Sequence, residues 1–189
     1  MPEVSLFYGI RITMFYSDHN PPHFHAEYAG NKALVDIQGG FVIRGALPSR
    51  HLKLILAWCS YIVMNSCRTG NFPRMPNPST ALPRLFERRE RVLMIPKVVQ
   101  VLPGSDFTVY VYFLDGAIRA LDVKPLLEKG GVFTPLRDEE TFRNSLTVLN
   151  DTAAWDLDGN RDPSTCIDLD PCELYDHCPA VEDPLSEAI

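Results

Sequence analysis

The stretch Tyr16-Ser-Asp-His-Asn-Pro-Pro-His-Phe-His-Ala-Glu-Tyr28 gathers three of the chain's five histidines beside two carboxylates. Its Asp-His-Asn-Pro-Pro segment is typical of a turn, so the chain is predicted to restart as a strand at about His23. Side chains alternate between the two faces of a strand, which gives this strand one apolar face for a core and one polar face directed outward. The apolar set is Phe24, Ala26 and Tyr28, and the polar set is His23, His25 and Glu27.

The polar face of this strand is the candidate site. Two imidazoles and one carboxylate on a strand face can form part of a divalent-metal site, or an acid/base pair that acts near neutral pH. The metal candidates are His23, His25 and Glu27, and the catalytic candidates are these three together with His19. A second interpretation remains open, in which the histidines only hydrogen-bond the proline turn and one side of the strand is simply polar.

Other residues are candidates for binding. Asp18 lies on the adjoining turn, while Arg11 and Lys32 lie on flanking strands where their charges can neutralise a phosphate. The short basic cluster at 84–91 can contact nucleic acid or an acidic protein surface through Arg84, Arg88 and Arg89.

Charge is distributed unevenly along the 189 residues. Residues 1–91 contain 11 basic and 6 acidic side chains, a net charge of +5, whereas residues 92–189 contain 7 and 18, a net charge of −11. A basic half can face phosphates and an acidic half can face a basic partner, and the simplest partner for each half is the other. Contact between the chain's own two halves is therefore expected.

Composition indicates a globular protein of the cytoplasm. Hydrophobic residues make up 46% of the chain and charged residues 22%, and no apolar run of about 18 residues is present to cross a membrane. The first residues lack the basic and then apolar pattern of an export signal. The five cysteines are an odd number without a framework spacing, which predicts reduced thiols.

The N-terminal part is predicted to be a sheet followed by a helix. Strands are expected at 6–16, 32–38 and 41–44, and Pro48-Ser49 begins a helix with a core-facing stripe at Leu52, Ile55, Leu56 and Cys59. Leu54, Trp58 and Tyr61 form a second apolar stripe that a small one-sheet domain cannot readily cover. We expect a second domain or a second subunit, as in a homo-oligomer or a complex with a partner protein, to cover Trp58.

The C-terminal part is predicted to be a second small domain. Strands are expected at 97–102, 107–114, 117–123 and 146–149, with Asp115-Gly116 as a hairpin turn. Short helices are expected after Lys124-Pro125, at 135–144 and after Asp170-Pro171. The predicted fold class is therefore α+β, with two small domains, each a mainly antiparallel sheet with one or two packed helices. The predicted segments are a basic domain at 1–70, a Pro/Arg-rich linker at 71–91, an acidic domain at 92–178 and a loose acidic tail at 179–189.

Two groups of motifs in the chain resemble known protein families. Gly9-Ile-Arg-Ile, Tyr16-Ser-Asp-His and Pro21-Pro-His-Phe-His-Ala-Glu-Tyr28 resemble the uncharacterised bacterial family known as domain of unknown function 4160. Asp122-Val-Lys-Pro-Leu-Leu127 and Gly131-Val-Phe-Thr-Pro-Leu-Arg-Asp138 are similar to domain of unknown function 2442. Neither resemblance implies an activity for a particular residue, but the pairing resembles a toxin and antitoxin module.

Three hypotheses of function follow. The first is a fused regulatory module, in which the basic domain is an effector on nucleic acid or another target and the acidic domain restrains it. The second is a small ribonuclease-like or metal-dependent enzyme, in which His23 or His25 moves a proton and Arg11 or Lys32 neutralises a phosphate. The third is a non-catalytic inhibitor or interaction protein whose acidic half binds a partner protein.

Overall fold

The N-terminal domain is a five-stranded antiparallel sheet with one long helix against one face. The computed structural model describes residues 3–14, 21–69 and 95–186. The strands lie side by side in chain order, so each turn joins neighbours. They are β1 (Glu3–Phe7), β2 (Ile10–Thr13), β3 (His23–Tyr28), β4 (Asn31–Asp36) and β5 (Val42–Gly45), and helix α1 spans Ser49–Thr69.

The first hairpin corrects the sequence prediction of one continuous strand over 6–16. The chain reverses at Tyr8-Gly9, where φ is 48° and 77°. Positive φ at both central residues is the geometry of a type I′ hairpin turn. A tyrosine rarely adopts this conformation, so the sequence carried little signal for the turn. The sheet is one strand wider than predicted as a result.

The core of this domain lies between α1 and the inward face of the sheet. The predicted helix stripe of Leu52, Ile55, Leu56 and Cys59 is buried there. Trp58 is only 5% exposed, and its ring packs on Phe7 and Phe24 with centroid distances of 6.4 and 5.2 Å. The predicted cover for Trp58 was a second domain or a second subunit. Its own sheet packs against the ring, because the extra strand β1 supplies Phe7. The buried cluster that contains Trp58 also contains Val99, Tyr112 and Ile118 of the second domain.

The C-terminal domain contains two three-stranded antiparallel sheets and three short α-helices in the described residues. The predicted Asp115-Gly116 hairpin is present, and the Asp115 carboxylate accepts a hydrogen bond from the Ala117 N–H at 2.9 Å. The strands are β6 (Val98–Pro103), β7 (Thr108–Phe113), β8 (Ile118–Asp122), β9 (Leu146–Leu149), β10 (Thr152–Trp155) and β11 (Ile167–Asp168). The helices are α2 (Lys124–Lys129), α3 (Glu139–Ser145) and α4 (Pro171–His177), with a 3₁₀ helix at Gly131–Arg137.

Helix α3 begins four residues later than the sequence predicted. Asp138 is its N-cap, and the Asp138 side chain accepts from the Thr141 N–H at 2.8 Å. That bond satisfies one of the N–H groups left unpaired at a helix start, which fixes the beginning of α3 at Glu139.

Strand β10 is absent from the sequence prediction. All four of its residues are buried, so the alternation that marks a half-exposed strand is absent.

The two domains meet along a seam that includes Asp183, near the C-terminus. Asp183 accepts a hydrogen bond from the Ser49 N–H at 2.6 Å and another from the Tyr112 hydroxyl at 2.8 Å. Just before it, Val181 donates to the Ile118 carbonyl at 3.2 Å. The prediction of a loose tail is therefore wrong for residues 179–186. The predicted fold class of two small α+β domains is confirmed.

Candidate functional site

The outward side of the five-stranded sheet gathers most of the predicted binding residues that the structure describes. Strand pairing sets Arg11 opposite Glu27 and Glu27 opposite Lys32, so these three side chains form one row across β2, β3 and β4. The next row contains Thr13, His25, Leu34 and Arg44. We call this surface the open face; it comprises Leu6, Arg11, Thr13, His25, Glu27, Lys32, Leu34 and Arg44.

A groove of about 580 Å³ lies on the open face. Arg11, Lys32 and Arg44 supply its cations, and Glu27 is the carboxylate among its described lining residues. The Lys32 amine is 3.9 Å from the Glu27 carboxylate, and both side chains are well exposed, so their mutual attraction is weak. The described lining residues of the groove therefore carry three cations and one carboxylate.

Arg44 reaches this groove because of a β-bulge, and the sequence analysis missed it. Val35 pairs with Val42 and Leu34 pairs with Arg44, which leaves Ile43 as the extra residue of β5. Simple alternation from the buried Val42 would turn Arg44 inward, whereas one extra residue turns it outward. The carbonyl of the extra residue, Ile43, accepts a hydrogen bond from the Thr147 hydroxyl of the second domain at 3.1 Å.

The two histidines of β3 differ in environment although they share a face. Their ring centroids are 5.5 Å apart. His23 is only 6% exposed, and its Nδ1 lies 2.7 Å from the Pro21 carbonyl oxygen, so this nitrogen donates to the proline turn. His25 is half-buried and lines the groove. The prediction that both rings are accessible is therefore wrong for His23 and right for His25.

The histidine-rich stretch does not form a metal centre within the described residues. No group of three His, Cys, Asp or Glu side chains in 3–14, 21–69 or 95–186 is arranged to hold a metal ion. The proposed ligand set of His23, His25 and Glu27 is thus not assembled. Several other candidates, namely Asp18, His19, Arg84, Arg88 and Arg89, lie outside the described residues.

The thiol of Cys59 is buried under the sheet and holds its proton. Burial, together with the nearby Asp36 charge, raises the pKa of Cys59 to about 11, so the group is a neutral thiol at pH 7. Its sulfur donates a hydrogen bond to the Ile37 carbonyl at 3.3 Å.

The described cysteines Cys59, Cys166, Cys172 and Cys178 are all free. None of the helices among the described residues is long and apolar enough to cross a membrane.

Comparison with known families assigns a class to each domain. Residues 9–61 match the family model described as Domain of unknown function (DUF4160), and residues 98–180 match Protein of unknown function (DUF2442). We call the two matched parts of the chain the DUF4160 domain and the DUF2442 domain. No curated protein and no solved structure matches the chain. Every residue of the open face except Leu6 lies within the DUF4160 match, whereas Thr147 belongs to the DUF2442 domain.

Proposed function

We propose that the chain is a fused regulatory module of the toxin–antitoxin kind, in which the DUF4160 domain is the effector and the acidic DUF2442 domain restrains it. The open face carries this proposal, because Arg11, Lys32 and Arg44 project into one groove from three strands. A surface with this excess of positive charge attracts anions, and phosphate-bearing molecules fit it best. The effector action is therefore binding of a phosphate-bearing target.

The position of the second domain supports restraint. Residues 92–189 have a net charge of −11, and this domain contacts β5 beside Arg44 through the Thr147–Ile43 hydrogen bond. A negative potential beside a cationic groove weakens the long-range attraction of the groove for polyanions. Restraint of this kind does not require the acidic domain to cover the groove.

Binding of a labelled oligonucleotide to the full chain tests the effector face. The double change Arg11→Glu with Lys32→Glu should weaken binding by about a hundredfold or more, since two charge-assisted contacts are lost. The matched control reverses two exposed cations outside the groove, Lys53→Glu with Lys129→Glu, and should bind much as the wild type does. Equal affinities of the two double variants would reject the open face as the effector surface.

Growth of cells that express the full chain tests the restraint. Asp183→Ala removes the acceptor that joins Ser49 of the first domain to Tyr112 of the second, so it should loosen the contact and slow growth. Adding Arg11→Glu and Lys32→Glu to this variant should restore growth at the same soluble protein level. Unchanged growth with Asp183→Ala, at matched expression, would contradict restraint by the second domain.

A ribonuclease-like activity is the second candidate. His25 favours it, because this imidazole lines the groove between the Arg11 and Arg44 cations, where it can move a proton during phosphodiester cleavage. Cleavage of a fluorogenic RNA by the wild type, lost in His25→Ala and retained in His177→Ala, would support it. An absence of cleavage with intact binding would leave the binding proposal alone.

A further inference from the structure

A second groove follows the seam between the two domains. It has a volume of about 410 Å³ and we call it the seam groove. Asn31 and Lys32 line it from the first domain, and Leu102 and Arg143 line it from the second. Lys32, Arg44 and Gly45 line both this groove and the groove of the open face. The two grooves are therefore neighbours that share these three residues near the domain boundary.

Gly45 keeps the junction of the grooves free of a side chain. Its φ is +81°, and a Cβ atom at this position would lie 2.1 Å from the Lys32 carbonyl oxygen. Only glycine is readily accommodated there. The glycine therefore allows β5 to approach the backbone of Lys32 closely at the place where both grooves are lined by Lys32, Arg44 and Gly45.

Arg143 places a cation at the far side of the seam groove. Its guanidinium donates to the Gly104 carbonyl at 2.8 Å and to the Glu139 carboxylate at 3.1 Å. These bonds hold the group in position while its side chain remains 40% exposed. Arg143 is thus a positioned and partly exposed cation of the second domain that lines the seam groove.

The two grooves also have apolar walls. Leu34 lines the open-face groove, and Leu102, Leu146 and Leu185 line the seam groove. Apolar surface beside cations suits a ligand with exposed bases and a charged backbone, which describes a single strand. A duplex keeps its bases paired and offers mainly phosphates to such a surface.

We infer that the ligand is a single-stranded nucleic acid that runs along both grooves, with Arg143 of the DUF2442 domain binding one of its phosphates. The inference rests on the proposed function and adds the class of ligand and a subsite in the second domain. Lys32 and Arg44 bind the phosphates at the junction. Unpaired bases pack against the leucine side chains on either side of it.

Fluorescence anisotropy with the full chain tests this path. The probes are a labelled three-nucleotide and a labelled ten-nucleotide oligouridylate, the DNA strand of the same length, and a ten-base-pair duplex. Arg143→Glu should weaken binding of the ten-nucleotide strand by about tenfold or more, and should leave the short strand unaffected. Lys129→Glu is the control in the same domain. Arg143→Gln removes the positive charge without adding a negative one, so it should give a smaller loss of binding. It serves as the test variant if Arg143→Glu lowers the melting temperature.

Each outcome separates this inference from the proposed function. Loss of long-strand binding in Arg143→Glu and Arg143→Gln, but not in the Lys129→Glu control, supports the inference. Equal binding by all three variants, with binding still lost in the Arg11→Glu/Lys32→Glu protein, overturns the subsite and leaves the proposed function standing. Tighter binding of the duplex overturns the single-stranded class. Binding of no probe, or binding insensitive to Arg11 and Lys32, overturns both. The RNA and DNA strands then show which sugar is preferred.

Discussion

The side-chain amide of Gln100 forms two hydrogen bonds with the backbone of Leu47, accepting from its N–H and donating to its carbonyl, each at 3.0 Å. Gln100 lies on β6 of the second domain and is fully buried, while Leu47 precedes α1 in the first domain. The amide thus pairs with Leu47 much as a neighbouring strand would. A buried polar group is stabilising only when such bonds are complete, so this pair fixes the relative position of the two domains.

Replacing Gln100 by leucine should strongly destabilise the protein. Gln100→Leu leaves the buried N–H and carbonyl of Leu47 without partners, and each unsatisfied group costs on the order of 1–3 kcal/mol. Urea unfolding should show a free energy of unfolding lower by about 2–5 kcal/mol than in the wild type. Gln38→Leu, at an exposed turn, is the control and should change it by about 0.5 kcal/mol or less. Similar stabilities of the two variants would contradict this role of Gln100.

Local patterns predicted the elements of each domain better than the contacts between them. Alternation along β3 placed Phe24 and Ala26 in the core, and the helix stripe of α1 was assigned from its spacing. The packing of Trp58 on Phe7 depends on the hairpin turn at Tyr8-Gly9, because this turn creates the fifth strand that carries Phe7. The position of Arg44 depended on a bulge, which interrupts alternation without a marker in the sequence. Asp183 pairs with residues 134 and 71 positions away, and no local period carries such contacts.

Trp58→Ala should cost far more stability than Trp58→Phe. The alanine variant leaves a cavity between Phe7 and Phe24, for which the expected loss is about 3–5 kcal/mol. Phenylalanine keeps part of the ring packing and removes an indole N–H that has no hydrogen-bond partner in the described part of the chain. Chemical unfolding of both variants measures the difference. Equal losses would indicate that ring packing at this site contributes little.

Asp183 should make stability depend on acid pH. Burial alone raises its pKa, but hydrogen bonds from the Ser49 and Leu185 N–H groups and the Tyr112 hydroxyl outweigh burial and hold the pKa below the ordinary 3.8. The charged form is therefore favoured in the folded state. Its contribution is fully present above pH 3.8 and is lost as the pH falls through the lowered folded pKa.

The measurement compares the free energies of unfolding of the wild type and Asp183→Asn at pH 7 and at pH 3. The wild type should be the more stable protein at pH 7, and the difference should be smaller at pH 3, because below pH 3.8 the unfolded chain binds a proton at Asp183 more readily than the folded state does. Glu182→Gln, at the neighbouring exposed position, should show no such pH-dependent difference. A difference that stays constant with pH would argue against a charged acceptor at residue 183.

His51 should make stability depend on pH in a higher range. Its ring is buried and stacks on Tyr28 with a centroid distance of 3.5 Å. Burial, and then the positive charge of Arg50, lower the pKa of His51 below 6.5. The unfolded chain therefore binds the proton more readily, so stability falls as the pH drops below about 6.5. His51→Phe keeps a stacking ring without titration and should flatten the pH dependence between pH 7 and 5, whereas His177→Gln, at an exposed position, should preserve it.

Single substitutions of the two histidines of β3 should separate a structural role from a role in ligand binding. His23 is buried and donates to the Pro21 carbonyl, so His23→Ala leaves that acceptor unpaired and should lower the free energy of unfolding by about 1–3 kcal/mol. His25 is half-buried at the groove, so His25→Ala should cost less stability and should alter oligonucleotide binding. Thermal melts and anisotropy on the two single variants test both statements. If His25→Ala melts well below His23→Ala, the ring at 25 supports the fold; if it melts normally and binds normally, the groove does not use that ring.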